Sequence, residues 1–246
     1  MKVLILAAGY GTRLAAIAQN TPKPLLPVGE KPLIDYILEK IAGLNGLKEI
    51  IVVTNDKFDT TFHDWAAQKK FPVPIKIVND GTRTPEDRLG SIGDINFVLS
   101  QGIVNDDLLV IGGDNLFDYT LDSYLDFARK NSPAVTIGLF DIKKKEEANK
   151  FGVVALDKNS KMTSFEEKPT NPKSTLISMC CYHLPKAAQG SVADYLKETK
   201  KSDTAGDFIR WLHQKKDVFG FTFAGKWYDI GSIESYQEAQ AVFGKK

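Results

Sequence analysis

Two short runs, Ile50–Val53 and Leu108–Ile111, are apolar at every position. A strand with one wet face alternates apolar and polar residues, so a run with no polar position belongs to a strand covered on both faces, as in parallel sheets flanked by helices. The surrounding chain keeps that rhythm. Strand-like Val3–Ala8, Glu49–Thr54, Ile75–Val78 and Leu108–Ile111 alternate with helix-like Leu33–Leu44, Thr60–Lys70, Ile92–Gln101 and Leu121–Lys130. In the first of these helices Leu33, Ile34, Ile37, Leu38 and Ile41 share a face, with Asp35, Glu39 and Lys40 off it, so it packs on a core and carries no chemistry. The first half is therefore expected to be a parallel, doubly wound α/β arrangement. After Pro133 the texture turns strand-rich, with Ala134–Phe140, Gly152–Leu156, Met162–Phe165, Ile177–Tyr182 and Val218–Phe223, and helices near 191–200, 205–215 and 232–243. No composition break marks a linker and no repeat is present, so one domain is expected, fraying at Gly244-Lys245-Lys246.

The 246 residues, 43% of them apolar, suffice for a substantial core. With 32 basic and 31 acidic side chains there is no global field to attract nucleic acid or an anionic membrane, so electrostatic recognition has to be local. Cys180 and Cys181 are adjacent, which suits neither a disulfide framework nor a C-x-x-C metal or redox site. The first strand starts at Met1 without a basic leader, a cleavage pattern or a long apolar run, so a cytoplasmic location is the expectation.

A long loop follows the first strand. It reads A-A-G-Y-G-T-R-L from Ala7, then, seven residues on, P-K-P-L-L-P-V-G-E-K-P. Gly9 and Gly11 permit positive φ and close backbone approach, so that consecutive N–H groups can face phosphate oxygens. Arg13 adds a planar fork and Lys23 a compact charge, and Pro22, Pro24, Pro27 and Pro32 stiffen the loop that carries them. A polyanion such as a nucleoside triphosphate is the expected ligand. The loop is neither a G-x-G-x-x-G fingerprint, since Leu14 stands at the third glycine, nor a P-loop, since no Gly-Lys-Ser/Thr follows at the required spacing.

This segment resembles that of the sugar-1-phosphate nucleotidyltransferases of the glucose-1-phosphate thymidylyltransferase type. Four later stretches fit in the same order: L-L-V-I-G-G-D-N-L-F (108–117), F-G-V-V (151–154), F-E-E-K-P (165–169) and W-Y-D-I-G-S-I-E-S-Y (227–236). The resemblance implies a single Rossmann-like, glycosyltransferase-A-like α/β domain with a mixed, mainly parallel sheet flanked by helices. It also implies a nucleotide-binding half (1–131) and a sugar-binding half (132–246). The implied reaction joins a nucleoside triphosphate, dTTP or UTP first, to a hexose 1-phosphate, glucose 1-phosphate first, with release of pyrophosphate and with Mg²⁺ as cofactor. Both reactants are anions, so such a site works mainly by neutralising charge and aligning the two in line.

The family pattern assigns the nucleotide to Leu6, Ala8, Gly9, Gly11, Thr12, Arg13 and Lys23, with Arg13, Lys23 and Asp114 catalytic. It makes Asp114 and Asp229 the metal ligands. From the residues alone, Asp114 at a buried strand's C-terminal end is also a good turn residue, and Asp229 could cap the last helix, although Ser232 is better placed for that. Asp at 116, needed for a glycosyltransferase D-x-D, is replaced by Leu116. Glu167 and Lys168 are matched to sugar hydroxyls and sugar phosphate, with Asn115, Gly152, Ser178 and Tyr182 as further sugar contacts. A plain solvated charge run (Glu166-Glu167-Lys168) and a strand bulge (Gly152) are the competing readings.

The departure from the family lies in I-V-N-D-G-T-R-T-P-E-D-R-L-G-S-I-G-D-I. Asn79 stands near the family's base-reading glutamine, and Gly90 and Ser91 near its backbone contacts, but the loop between is longer and charged. Cytosine therefore stays open beside thymine and uracil, as does a cytidylyltransferase for an alcohol phosphate. A silent sugar-nucleotide sensor is set against the intact charged positions. His63, His183 and His213 have no triad or cluster spacing, and Trp65, Trp211 and Trp227 read as packing residues. With little chain after the W-Y-D-I-G motif, a monomer or homodimer without end-product regulation is expected.

Overall fold

The computed structural model describes residues 1–18, 20–200 and 204–244; Lys245 and Lys246 of the tail expected to fray lie outside them. Its strands are β1 (Lys2–Leu6), β2 (Pro27–Val28), β3 (Lys31–Pro32), β4 (Glu49–Thr54), β5 (Ile75–Asn79), β6 (Leu108–Gly112), β7 (Asn115–Phe117), β8 (Val135–Asp141), β9 (Gly152–Leu156), β10 (Met162–Glu167), β11 (Leu176–Leu184), β12 (Val218–Phe223) and β13 (Trp227–Asp229). Its α-helices are α1 (Ala15–Ala18), α2 (Leu33–Ile41), α3 (Asp59–Ala67), α4 (Gly90–Ser100), α5 (Asp122–Lys130), α6 (Gly190–Thr199), α7 (Ala205–His213) and α8 (Ile233–Phe243). Among the described residues, nine strands form a mixed sheet along the path β10-β9-β11-β6-β1-β4-β5, with β8 and β12 paired off it, and helices flank it as the periodicities require.

Two compact units divide the chain, and they interleave along it. The first comprises Met1–Leu89, Ile111–Leu121 and Gly225–Lys246. Within it β1, β4 and β5 are parallel, and Ile50–Val53 is fully buried as an all-apolar run should be. Helix α2 buries the five residues read as its inner face and ends three residues early, at Ile41. A cluster of Leu14, Leu26, Val28, Leu33, Leu116 and Ile230 lies in this unit, with Tyr36, Tyr236 and Phe243 packed against it.

The second unit comprises Gly90–Val110 and Asp122–Ala224. Here β11 runs antiparallel to β8 and β9, β10 antiparallel to β9, and β12 parallel to β8. Tyr124 packs against Phe221 and Phe223, and Tyr195 against Phe208 and Trp211. Strand β11 slips register between Ser178 and Tyr182, an irregularity that re-aims side chains on one strand.

The short strands β2, β3, β7 and β13 were not legible as periodic runs, since two or three residues carry no period. One of their pairs matters most. Strands β7 and β13 are antiparallel with Asn115 opposite Asp229, which brings the G-G-D-N and W-Y-D-I-G motifs together across more than a hundred residues of chain.

Candidate active site

The phosphate loop begins where β1 stops at Leu6, two residues before the strand was expected to end. Ala8 turns inward, its carbonyl accepting from Asn55 Nδ2 at 2.8 Å, and Gly9 follows with open space where a Cβ would stand. Gly11 adopts φ +63°, a conformation that disfavours a side chain, and its carbonyl accepts from the Leu14 N–H to close the turn Thr12–Leu14. Leu14 is buried, which anchors the turn and leaves the neighbouring Arg13 facing outward. Lys23 starts a second short turn, Lys23–Leu25, held by buried Pro24 on one side and Leu26 on the other.

Four charged side chains converge here. Lys23 Nζ donates to Asp114 Oδ2 at 2.6 Å, with the two side chains 16% and 31% exposed. The Cβ position of Gly231 lies 3.6 and 3.7 Å from the Asp229 carboxylate oxygens and 3.8 Å from Arg13 Nη1, which places both groups around one point. The Ile230 N–H donates to the Asp114 carbonyl at 3.0 Å, tying the two aspartate segments directly. Burial opposes ionisation of Asp114, but the Lys23 charge and hydrogen bond, helped by Arg13, outweigh it and hold the carboxyl below its ordinary range. The Asp229 cap reading gives way to Ser232, whose hydroxyl accepts from the Ser235 N–H in a capping box.

Gly113, which no motif argument had singled out, is sterically fixed. A Cβ there would stand 2.7 Å from the Leu6 carbonyl and 3.0 Å from Pro24 Cγ, while the Gly113 N–H donates to that same carbonyl. Gly113→Ala is expected to cost about 1–3 kcal/mol and to displace Asp114, so thermal melts and turnover should fall together. An unchanged melting temperature would show that the backbone yields freely.

Three residues matched to substrate also have structural partners. Asn115 is 2% exposed; its amide donates to the Gly112 carbonyl and Asp114 Oδ1 and accepts from Trp227 Nε1 at 2.7 Å, so it steadies Asp114. Asn79 accepts from the Gly81 N–H and donates to Asp56, which makes it an organiser of the loop that departs from the family. At Gly152 the space a side chain would fill is taken by the Phe165 ring, 2.3 Å from the Cβ position, so a side chain there would collide with the neighbouring strand. Tyr10 ties the two loops by donating to Thr82 Oγ1 at 3.1 Å, and a hollow lined by Tyr10, Gly11, Thr12, Lys57, Arg83 and Thr84 opens beside it.

In the second unit, Glu167 ends β10 and Lys168 follows with φ +45°, in the left-handed region and directly before Pro169. Such a conformation costs a non-glycine residue about 1 kcal/mol and concentrates at functional sites. Burial pushes the Glu167 carboxyl up, against the pull of Lys168, whose Nζ lies 3.8 Å away. Tyr182 is 5% exposed and hydrogen-bonded to the Ser178 side chain, and burial drives its phenol well above the ordinary value. Gly90 opens α4 with φ +78°, and Ser91 lies in its first turn.

Cys180 and Cys181 form no disulfide, and burial pushes Cys181 up to about 12, far from reactive thiolate chemistry. His183 is 2% exposed and burial lowers its pKa, while His63 sits on α3 beside Asp59. Among the described residues no three His, Cys, Asp or Glu side chains gather as a metal cluster, and no helix is long and apolar enough to cross a membrane.

A glycine loop thus follows a buried parallel strand of an α/β protein, with two cations and two carboxylates beside it. The chain belongs to the nucleotidyl transferase family, whose sequence profile matches residues 2–246. It is 29% identical over 236 residues to the bifunctional protein GlmU of Methanocaldococcus jannaschii and 27% identical over 235 to that of Methanococcus aeolicus. Each alignment covers 94% of this chain and 51% of the relative, so the chain spans about half their length. Among solved structures it resembles a Bacillus anthracis chain assigned as a glucose-1-phosphate thymidylyltransferase, solved with sucrose (TM-score 0.83, 26% identity, 100% of this chain and 96% of that one). It is also similar to a UDP-glucose pyrophosphorylase solved with UDP-glucose (TM-score 0.81, 25% identity, 99% and 98% covered).

Proposed function

We propose that this chain joins a nucleoside triphosphate to a hexose 1-phosphate, releasing pyrophosphate and a nucleoside diphosphate sugar. The observation that carries the reading is the meeting of Arg13, Lys23, Asp114 and Asp229 beside the glycine loop. A phosphate oxygen of the sugar phosphate attacks the α-phosphorus, and the bond to the departing pyrophosphate breaks. Arg13 and Lys23 stabilise the negative charge that builds on the leaving group, and the N–H groups around Gly9 and Gly11 orient the phosphates. Lys168 meets the sugar phosphate and Glu167 accepts from sugar hydroxyls.

Asp114 and Asp229 would hold Mg²⁺. Two carboxylates suit this hard cation, which takes its remaining oxygens from phosphate and water, and adjacent strand ends supply both. Bound there, the ion would neutralise phosphate charge and template the in-line geometry.

Thymine or uracil, with glucose, is the favoured pair, supported by the activities named for the two similar structures. Cytosine is the second choice, because Asn79 has both ends of its amide engaged, by the Gly81 N–H and by Asp56. The test is pyrophosphate release with Mg²⁺ from a matrix of nucleoside triphosphates against glucose, galactose, mannose, N-acetylglucosamine and fucose 1-phosphates. Release requiring one base and one sugar phosphate together supports the reading; silence with triphosphate binding retained points to another acceptor or to a sensor. Lys168→Ala should weaken sugar phosphate binding more than triphosphate binding, by about tenfold or more for a lost charge-assisted contact. The opposite ranking would exchange the two assignments.

A further inference from the structure

Glu167 rests on a place where helix α7 has no side chain. A Cβ built on Gly206 would stand 1.9 Å from Glu167 Oε2, 2.7 Å from Cδ and 3.3 Å from Oε1, so the carboxylate lies against the Gly206 Cα. Among the described residues, the three atoms nearest that Cβ position all belong to Glu167. The Gly206 φ lies outside the left-handed region, and within a helix glycine is about 0.5–1 kcal/mol worse than alanine. The overlap involves the carboxyl carbon as well as both oxygens. Relief has to come from turning the Glu167 carboxylate away from its place, a group that is 15% exposed and feels the charges of Asp207 and Arg210 on the same helix.

We propose that Gly206 is a positioning residue for the sugar side of the reaction: its bare Cα is the seat that holds the Glu167 carboxylate toward the hexose hydroxyls. This rests on the reading of Glu167 as a hydroxyl acceptor. With alanine at 206 the carboxylate must move by more than an ångström, and hydrogen bonds to hydroxyls do not survive such a shift.

The experiment is a double-mutant cycle of Gly206→Ala and Glu167→Ala, with Michaelis constants measured separately for triphosphate and sugar phosphate. Gly206→Ala should raise the sugar-phosphate constant by about tenfold or more and leave the triphosphate constant unchanged, the signature of one lost charge-assisted hydrogen bond. In the Glu167→Ala background it should do nothing further, because a residue that acts through Glu167 loses its route when Glu167 is gone. Equal effects in both backgrounds, or none in the wild type, overturn the proposal. If Glu167→Ala itself leaves the sugar-phosphate constant unchanged, the prior reading of Glu167 fails instead. Should Gly206→Ala alone not fold, thermal melts decide. Stability regained in the Glu167→Ala background supports the seat, and instability in both assigns Gly206 to packing and overturns it.

Discussion

Lys23→Ala lowers the turnover number for pyrophosphate release by about two to three orders of magnitude, the range seen when one preorganised charge-stabilising donor is removed. The chain stays folded, because Pro24 and Leu26, not the ammonium, anchor this turn in the core. Only a moderate stability loss is expected from the broken pair, as Asp114 is 31% exposed and regains water. The acid limb of stability changes too. With its carboxyl held below the ordinary range, Asp114 contributes stability above the unfolded-state value of about 4 and loses it as pH falls through the folded value. Removing Lys23 takes away the main downward pull, so this limb should flatten in acid titrations followed by circular dichroism. Near-normal turnover would remove Lys23 from the chemistry.

Asp114→Asn and Asp229→Asn are expected to abolish turnover or to shift its Mg²⁺ requirement upward by about an order of magnitude or more. The two should not behave alike otherwise. Asp114→Asn also strands the Lys23 ammonium, so it should lower thermal stability, while Asp229 lies at a strand end secured by the Ile230 N–H and the β7–β13 ladder. Direct Mn²⁺ binding, read by electron paramagnetic resonance with triphosphate present, separates loss of metal from loss of catalysis. Unchanged metal titrations in both variants would break the two-aspartate assignment.

Much of this was legible in the sequence, for a physical reason. The all-apolar runs and the Leu33–Ile41 face declare themselves through period, and strands such as Gly152–Leu156 and Val218–Phe223 came out at their observed bounds. The loop after β1 drew the phosphate reading through chemistry, since glycines and cations in a proline-stiffened loop suit a polyanion. What stayed hidden was contact at a distance. Nothing local reveals that the Asn115 amide bonds Trp227 and Asp114. Nor does the local sequence reveal that Phe165, on the neighbouring strand, occupies the side-chain space at Gly152. Gly113 and Gly206 were overlooked because a glycine's neighbours are invisible until the chain is folded. The left-handed Lys168 could have been suspected only from the proline after it, and proline there argues for extended backbone.

Helix α8 closes over the phosphate loop from the far end of the chain. Gln240 donates to the Pro27 carbonyl and accepts from the Gly29 N–H, Tyr236 donates to the same carbonyl, and Phe243 packs on Tyr36. Asp229 and this clamp are translated about two hundred residues after Arg13 and Lys23. At about 5–20 residues per second, the glycine loop waits on the order of ten seconds or more for its partners. The nascent chain therefore cannot bring Arg13, Lys23, Asp114 and Asp229 together piecemeal, and the unit that holds them waits on residues far along the chain.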